Sequence, residues 1–365
     1  SATLDKEANN PNLELISSQL GVEFETTSAI DLDDALEQVG DYIAANEDEL
    51  TERFTQAVQE VDIATDPTNV VAGNPKSLQG QFTQTLLSLD SPSSLLLETN
   101  PAAPSEASSS EESDDDEGAQ AVGGRLGTEP AWLIGGRIGT VEAGEEEGVF
   151  VDVVAERGFR VGEGGRNRIK VSAPLSYLDF NRIQQSTASV NVGYEHQVID
   201  GKWVVEPSVG AGYAFTNGDV LAGEFEAGAL WSAGLSSRLK VANVGRGHII
   251  VGNAVGYSET FDIEVEGSFR SPEVNNTTFR NGVAYQVPVG QRVFDRLGTM
   301  RASYTHTKLT GTDVAVDEYH DISFNYGVGS RESTVRNFQE TLRVGLNATF
   351  GDDYQALSLV AGYKF

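Results

Sequence analysis

The chain has no cysteine and one methionine in 365 residues. Without cysteine there is no disulfide framework and no thiolate to act as nucleophile or metal ligand. Long hydrophobic runs are missing too: no stretch of 18 apolar residues occurs, so a membrane-crossing helix is excluded. The opening Ser1-Ala2-Thr3, with Asp5 and Lys6 behind it, lacks the apolar core of an export signal. Either the numbering starts at the mature terminus of an exported chain or the protein never leaves the cytosol; the strand pattern of residues 131–365 selects the first. Histidine is scarce, only His196, His248, His306 and His320. No two of them have ligand spacing on one element, so neither a metal nor a cofactor is expected. His306 and His320 fall on neighbouring expected strands near Ser303 and Ser323, the residue types of a serine–histidine hydrolase site. With no Gly-x-Ser-x-Gly elbow or His-x-Ser pairing, an enzyme is not expected. The Gly-rich GEGGRN and GVGSRES segments precede no helix and are turns, not phosphate loops.

Basic residues are few, 25 against 55 acidic, for a net charge of −30. Residues 1–117 hold 26 acidic and 3 basic side chains, or −23; residues 118–365 hold the remaining 29 and 22, or −7. A field of this sign repels nucleic acid, which is excluded as a partner, and favours cations, basic partners or plain solubility.

Three regions follow from composition. Residues 1–100 form an acidic, partly helical N-terminal region. Residues 1–27 show little periodicity, with a turn at Asn9-Asn10-Pro11-Asn12. From Leu32 to Val61, apolar residues recur at helical spacing as one helix or two broken near Asn46, with Ser28 and Asn46 as candidate caps. Asp66-Pro67 ends that run. A second amphipathic piece sets Leu78, Phe82, Leu86 and Leu89 on one face before Pro92. The two pieces allow a helical hairpin with a marginal core, so a docking partner is expected, such as another envelope protein. Residues 101–130 are a flexible acidic Ser/Asp/Glu linker. Glu111, Glu112 and Asp114 to Glu117 lack the ligand-and-glycine spacing of a calcium loop.

Residues 131–365 alternate throughout. In Trp203 to Phe215, WVVEPSVGAGYAF, the odd positions are apolar and the even ones from Glu206 to Gly212 are polar or small. The last twelve residues, YQALSLVAGYKF, put Leu357, Leu359, Ala361, Tyr363 and Phe365 on one face and Ala356, Ser358, Val360, Gly362 and Lys364 on the other. An apolar outside ending in aromatics, with a small or polar inside, suits a strand between lipid and a wet lumen. Twelve such strands are expected, at roughly 132–142, 148–157, 167–178, 187–199, 202–215, 228–242, 247–258, 277–287, 298–308, 318–328, 338–350 and 353–365, in an all-β, twelve-stranded antiparallel transmembrane barrel.

This C-terminal region resembles the translocation (β) domain of the autotransporter family in its barrel size, its WVVEPSVGAGYAF segment and its terminal aromatic-x-Phe. The resemblance implies an outer-membrane barrel that anchors or displays an N-terminal segment. Leu359, Gly362, Tyr363 and Phe365 would be the signal read by the barrel-assembly machinery. The chain differs from the family in lacking β-helical passenger repeats over 1–100 and a helix just ahead of Trp132.

Charged or amide groups at membrane depth must face the lumen. Arg137, Asp152, Lys170, Asn191, Glu195 and Glu206 are candidates on the first strands. Arg238, Lys240, Arg280, Arg301, Arg343 and Lys364 are candidates on the later ones. They either line a channel or pair across strands to fill a narrow barrel. Trp132, Trp203, Tyr213, Phe215, Trp231, Tyr326, Phe350 and Tyr363 are expected at the lipid headgroups. The alternatives to an anchor are a porin-like channel with a plugging or periplasmic N-terminal segment, and a structural subunit of a larger envelope assembly.

Overall fold

A computed structural model describes residues 2–4, 13–17, 22–25, 32–89 and 131–364, less 163–165, 181–182, 200–201, 219–226, 262–272, 294–295 and 330–339. The turn expected at 9–12, the cap at Ser28, the linker at 101–130 and Phe365 lie outside the described residues. The chain divides into two compact units, Ser1–Thr65 and Asp66–Phe365.

In the first unit, β1 (Ala2–Leu4), β2 (Leu13–Ser17) and β3 (Val22–Glu25) form an antiparallel sheet in that order. Strands of 3–5 residues are too short for alternation to show, which is why the sequence has no visible period there. The helical run is two helices, α1 (Leu32–Ala45) and α2 (Glu47–Thr65). They break at Asn46, whose side-chain amide donates to the Tyr42 carbonyl at 2.7 Å. Phe24 of β3 stacks on Tyr42 of α1 at 4.3 Å.

In the second unit, twelve strands close into one antiparallel barrel: β4 (Ala131–Ala143), β5 (Glu146–Val161), β6 (Asn167–Phe180), β7 (Ile183–Ile199), β8 (Trp203–Gly218), β9 (Ala227–Val244), β10 (Gly247–Phe261), β11 (Asn275–Val293), β12 (Arg296–Gly311), β13 (Glu318–Gly329), β14 (Glu340–Gly351) and β15 (Tyr354–Lys364). Every neighbour is sequential, and β15 pairs with β4 through Leu359↔Ile138 and Tyr363↔Ile134. Closure leaves no sheet edge, a requirement for strands in lipid. The even count places the start of β4 and the end of β15 at one end of the barrel, the terminal end. The β4–β5 turn at Gly144 and the 312–317 connection mark the far end.

The wall is inverted relative to a soluble barrel. On β15, Leu357 and Leu359 are exposed while Ser358 and Val360 are buried; on β14, Leu342, Val344 and Leu346 are exposed and Arg343 and Asn347 buried. Ile322 and Phe324 on β13 repeat the pattern. Exposed apolar side chains on strand after strand make a hydrocarbon belt that water would penalise at about 25 cal/mol per Å².

Candidate functional site

The lumen holds a piece of the chain. Residues 66–89 enter at the far end, where the Pro67 ring lies against Gly144, and reach the middle of the wall by Leu89. Val316, on the 312–317 connection, donates its amide to the Gly73 carbonyl at 3.0 Å, and Gln185 of β7 donates to the Thr68 carbonyl. Asn69 Oδ1 accepts from the amides of Val71 and Ala72, and Asn74 Oδ1 from those of Lys76 and Ser77, so the irregular stretch satisfies its own buried donors. Ser77 then caps α3 (Leu78–Leu86), its hydroxyl accepting from Gly80 at 3.2 Å.

This short helix packs against β7, β8, β9 and β10. The helical hairpin that the sequence allowed is not what α3 makes; its docking surface is the barrel's own interior. Val70, Val71, Leu78 and Phe82 form a core with Ala214 and Leu230 of the wall, and Leu87 and Leu89 form another with Ala254. Inward glycines make room. A Cβ at Gly210 would stand 2.6 Å from Phe82, at Gly256 2.7 Å from Leu86, at Gly252 2.9 Å from Leu87 and at Gly282 2.7 Å from Leu89. No side chain fits there while the helix is in place.

Gln79, Gln81 and Thr83 of α3 each meet polar side chains of the wall. Gln79 donates to Ser258 Oγ at 3.0 Å and accepts from Asn276 at 3.4 Å; Gln81 donates to Thr187 Oγ1 at 2.6 Å and accepts from Ser189 at 3.2 Å. Thr83 Oγ1 lies 3.4 Å from Thr278 Oγ1. Lys76 bridges to Asp152 at 2.6 Å, with its Nζ 3.5 Å above the centre of the Phe150 ring. Arg280 donates to the Leu87 carbonyl at 3.1 Å, and Arg301 to that of Leu89 at 3.3 Å. The wall thus caps the free carbonyls beyond the helix end.

The lumen is graded. Toward the far end its lining is apolar, with Val141, Phe150, Leu178, Phe180, Val316, Tyr319 and Tyr354 in one cluster. Toward the terminal end it is charged. Arg238 bonds Glu195 at 3.0 Å and Glu206 at 2.6 Å, Lys170 bonds Glu206 at 2.5 Å, and Arg168 bonds Glu195. Arg343 clamps Glu340 at 2.5 and 2.6 Å. Arg301 bonds Gln286 at 2.9 Å, while the Arg280–Asp321 pair at 2.9 Å sits in the far half, two residues from Tyr319. Arg137 stands opposite Asp152 in the β4–β5 register, Asn191 is half-buried beside Gly210, and Lys240 and Lys364 are half-buried nearer the terminal end. Beside α3, two cavities of about 30 and 60 Å³ have room for a few waters each; Arg137, Glu156 and Lys170 line the larger, and Lys170, Asn191 and Glu206 the smaller.

The aromatics expected at the headgroups fall in two bands on the outer face. Trp132, Trp203, Tyr326 and Tyr363 lie toward the terminal end, and Tyr213, Phe215, Trp231 and Phe350 toward the far end. Trp203 and Tyr213 are ten residues apart on β8. At about 3.3 Å per residue and a tilt of about 40°, that is about 25 Å along the membrane normal, the height of the apolar band in outer-membrane barrels. Leu359 and Tyr363 face outward on β15, and Gly362 inward.

The Ser–His arrangement near β12 and β13 divides across the wall. Ser303 and Ser323 are buried in the lumen and bond each other at 2.6 Å, whereas His306 and His320 are on the outer face with rings stacked at 5.0 Å. Serine and histidine therefore do not meet in one site.

Fold and lumen together define an outer-membrane β-barrel whose interior is occupied by its own chain. No family model matches the sequence, and no curated protein matches it. Similar solved structures are barrels. The β domain of the Bordetella autotransporter BrkA has 10% identity, covering 65% of this chain and 98% of that one, with a TM-score of 0.49. The translocator domain of the autotransporter NalP from Neisseria meningitidis has 13% identity, covering 66% and 89%, with a TM-score of 0.47. A KdgM porin in complex with disordered oligogalacturonate has 12% identity, covering 64% and 99%, with a TM-score of 0.34. The likeness is one of barrel form.

Proposed function

We propose that the chain is an autotransporter-translocator-like anchor of the Gram-negative outer membrane that seals its own pore and holds its acidic N-terminal segment, residues 1–65, at the outer face. One observation carries this reading: residues 66–89 enter the lumen at the end opposite the barrel's termini and descend toward them, bonded to the wall along the way. With the termini on the periplasmic side, as in single-chain outer-membrane barrels, residue 66 leaves at the cell exterior. The twelve lumen residues then serve chiefly to fill and close the barrel, with Asp152, Lys170, Glu195, Glu206, Arg238, Arg280 and Arg343 in ion pairs, and the aromatic bands seat it in lipid. The β15 face ending in Tyr363 supports recognition by the barrel-assembly machinery, Phe365 completing the signal. Exposed Ile43, Val58 and Val61 on α1 and α2 would receive another envelope protein.

Protease added to intact cells tests the orientation. Cleavage within 1–65, with the barrel surviving, is expected; full protection of that segment refutes display. A second reading, a porin-like channel, is favoured by the glutamine and threonine contacts of α3, which water could replace if the segment left. Planar-bilayer recordings separate the two. The sealed anchor gives no conductance as the full chain and conducts after deletion of 66–89; steady conductance by the full chain supports the channel.

A further inference from the structure

The geometry points to a transition-metal site on the outer face of the barrel, formed by His306, Glu318 and His320 across β12 and β13. His306 and His320 are direct register partners, and Glu318 stands two residues before His320 on the same face. Ligand atoms of the three lie within 4.8 Å of one another. His306 Nε2 is 3.1 Å from Glu318 Oε1. Two ligands about 2.0–2.1 Å from one tetrahedral zinc stand about 3.3 Å apart, so this pair is already at the spacing of a tetrahedral edge. His320, whose ligand atom lies within 4.8 Å of the other two, would complete three ligands by turning out of its stack, leaving a fourth position to solvent.

The neighbours hold these groups in coordinating form. Tyr304 Oη lies 2.9 Å from His320 Nδ1; with the ring N–H donating to the phenol oxygen, the lone pair is on Nε2. Lys308 holds Glu318 Oε2 at 3.3 Å and Asp317 at 2.6 Å, which leaves Oε1 for the metal and offsets the lysine charge. Phe350 of β14 closes the other side of the His320 ring at 5.8 Å. His306 and Glu318 are 34% and 45% exposed, so an ion reaches them without opening the wall. Two imidazoles and a carboxylate select zinc or a similar divalent transition ion over calcium, which takes oxygen ligands. A bound ion would pin β12 to β13 near the far rim.

The full chain in detergent micelles is titrated with zinc against a chromogenic chelator. One equivalent is expected, weakened at least tenfold in both Glu318→Gln and His320→Gln, with folding of each variant checked by its heat-modifiable electrophoretic mobility, and unaffected by excess calcium. No binding, equal binding by the variants, or displacement by calcium, which would assign the ion to the acidic 111–117 run, overturns the proposal. On the unaltered chain, zinc should slow diethylpyrocarbonate modification of His306 and His320 while His196 reacts at its usual rate. Equal rates with and without zinc refute the site even if a variant fails to fold.

Discussion

Gly256→Ala is the sharpest perturbation of the seated helix. A Cβ there would meet Leu86 Cδ2 at 2.7 Å, and the next contact outside Leu86, the Ala233 carbonyl oxygen, is at an ordinary 3.6 Å. The conflict is therefore with one side chain of α3 and not with the wall. Gly256 has no left-handed φ, so alanine is tolerated by the backbone. Leu86 must retreat by about 1 Å, an overpacking that costs about 1–3 kcal/mol. Leu86→Ala alone should cost about 1–2 kcal/mol, below the about 2–5 of a fully buried leucine because Leu86 is only partly buried. Combined, the new methyl occupies part of the space the leucine vacates. The double variant should therefore be less destabilised than the sum by about 1–2 kcal/mol. The chain has no cysteine, so Thr83→Cys in the buried helix supplies a unique thiol that maleimide reaches only when the segment leaves the lumen. Labelling then reports the opening free energy, tenfold in rate per about 1.4 kcal/mol. Gly256→Ala should label about 5- to 150-fold faster than the Thr83→Cys parent, with partial reversal by Leu86→Ala. Unchanged labelling in Gly256→Ala, or strictly additive effects, would refute the seating of Leu86 against Gly256.

Three further outcomes follow from named contacts. Lys76→Met removes the ion-pair partner of Asp152, whose carboxylate keeps the Ser176 hydroxyl bond, and, in the Thr83→Cys parent, should raise maleimide labelling about 10- to 150-fold, in line with the about 1.5–3 kcal/mol of a charged hydrogen bond. Arg238→Met removes the cation shared by Glu195 and Glu206, which keep Arg168 and Lys170 respectively, and should cost about 1.5–3 kcal/mol, seen as a lower urea midpoint for loss of the folded electrophoretic form. Leu346→Arg puts a charge mid-wall in the hydrocarbon belt and should cost about 2–4 kcal/mol of stability in vesicles, whereas Thr310→Arg near the rim should cost about 0–1.

The wall was legible because lipid outside and a filled lumen inside impose a period of two on every strand. YQALSLVAGYKF and WVVEPSVGAGYAF show it residue by residue, and their burial in the structure alternates in the same sense. Asn46 was legible as a candidate break in the helical run for a similarly local reason. The partner of α3 was not. An amphipathic nine-residue helix announces that an apolar surface exists, and the sequence around it does not say where. A signal was nevertheless present: Gly210, Gly234, Gly256 and Gly282 stand on the inward faces of four consecutive strands, with Gly234 opposite Gly256 and Gly252 opposite Gly282 in register. Small residues side by side across a sheet leave a channel of helix width. The histidine and glutamate cluster is hidden for another reason: ligand spacing shows in a sequence only within one element, and these three residues meet across a strand pair.

The occupied lumen is the central claim, and a disulfide between helix and wall tests it most directly. Thr83 and Thr278 carry hydroxyls 3.4 Å apart on α3 and β11, and no native cysteine competes. Mild oxidation of the Thr83→Cys, Thr278→Cys double variant in folded outer membranes should crosslink residues 83 and 278 in most molecules, with the faster mobility of a looped chain on denaturing gels. Two free thiols in a properly folded barrel would mean that residues 66–89 lie elsewhere, and would contradict the account.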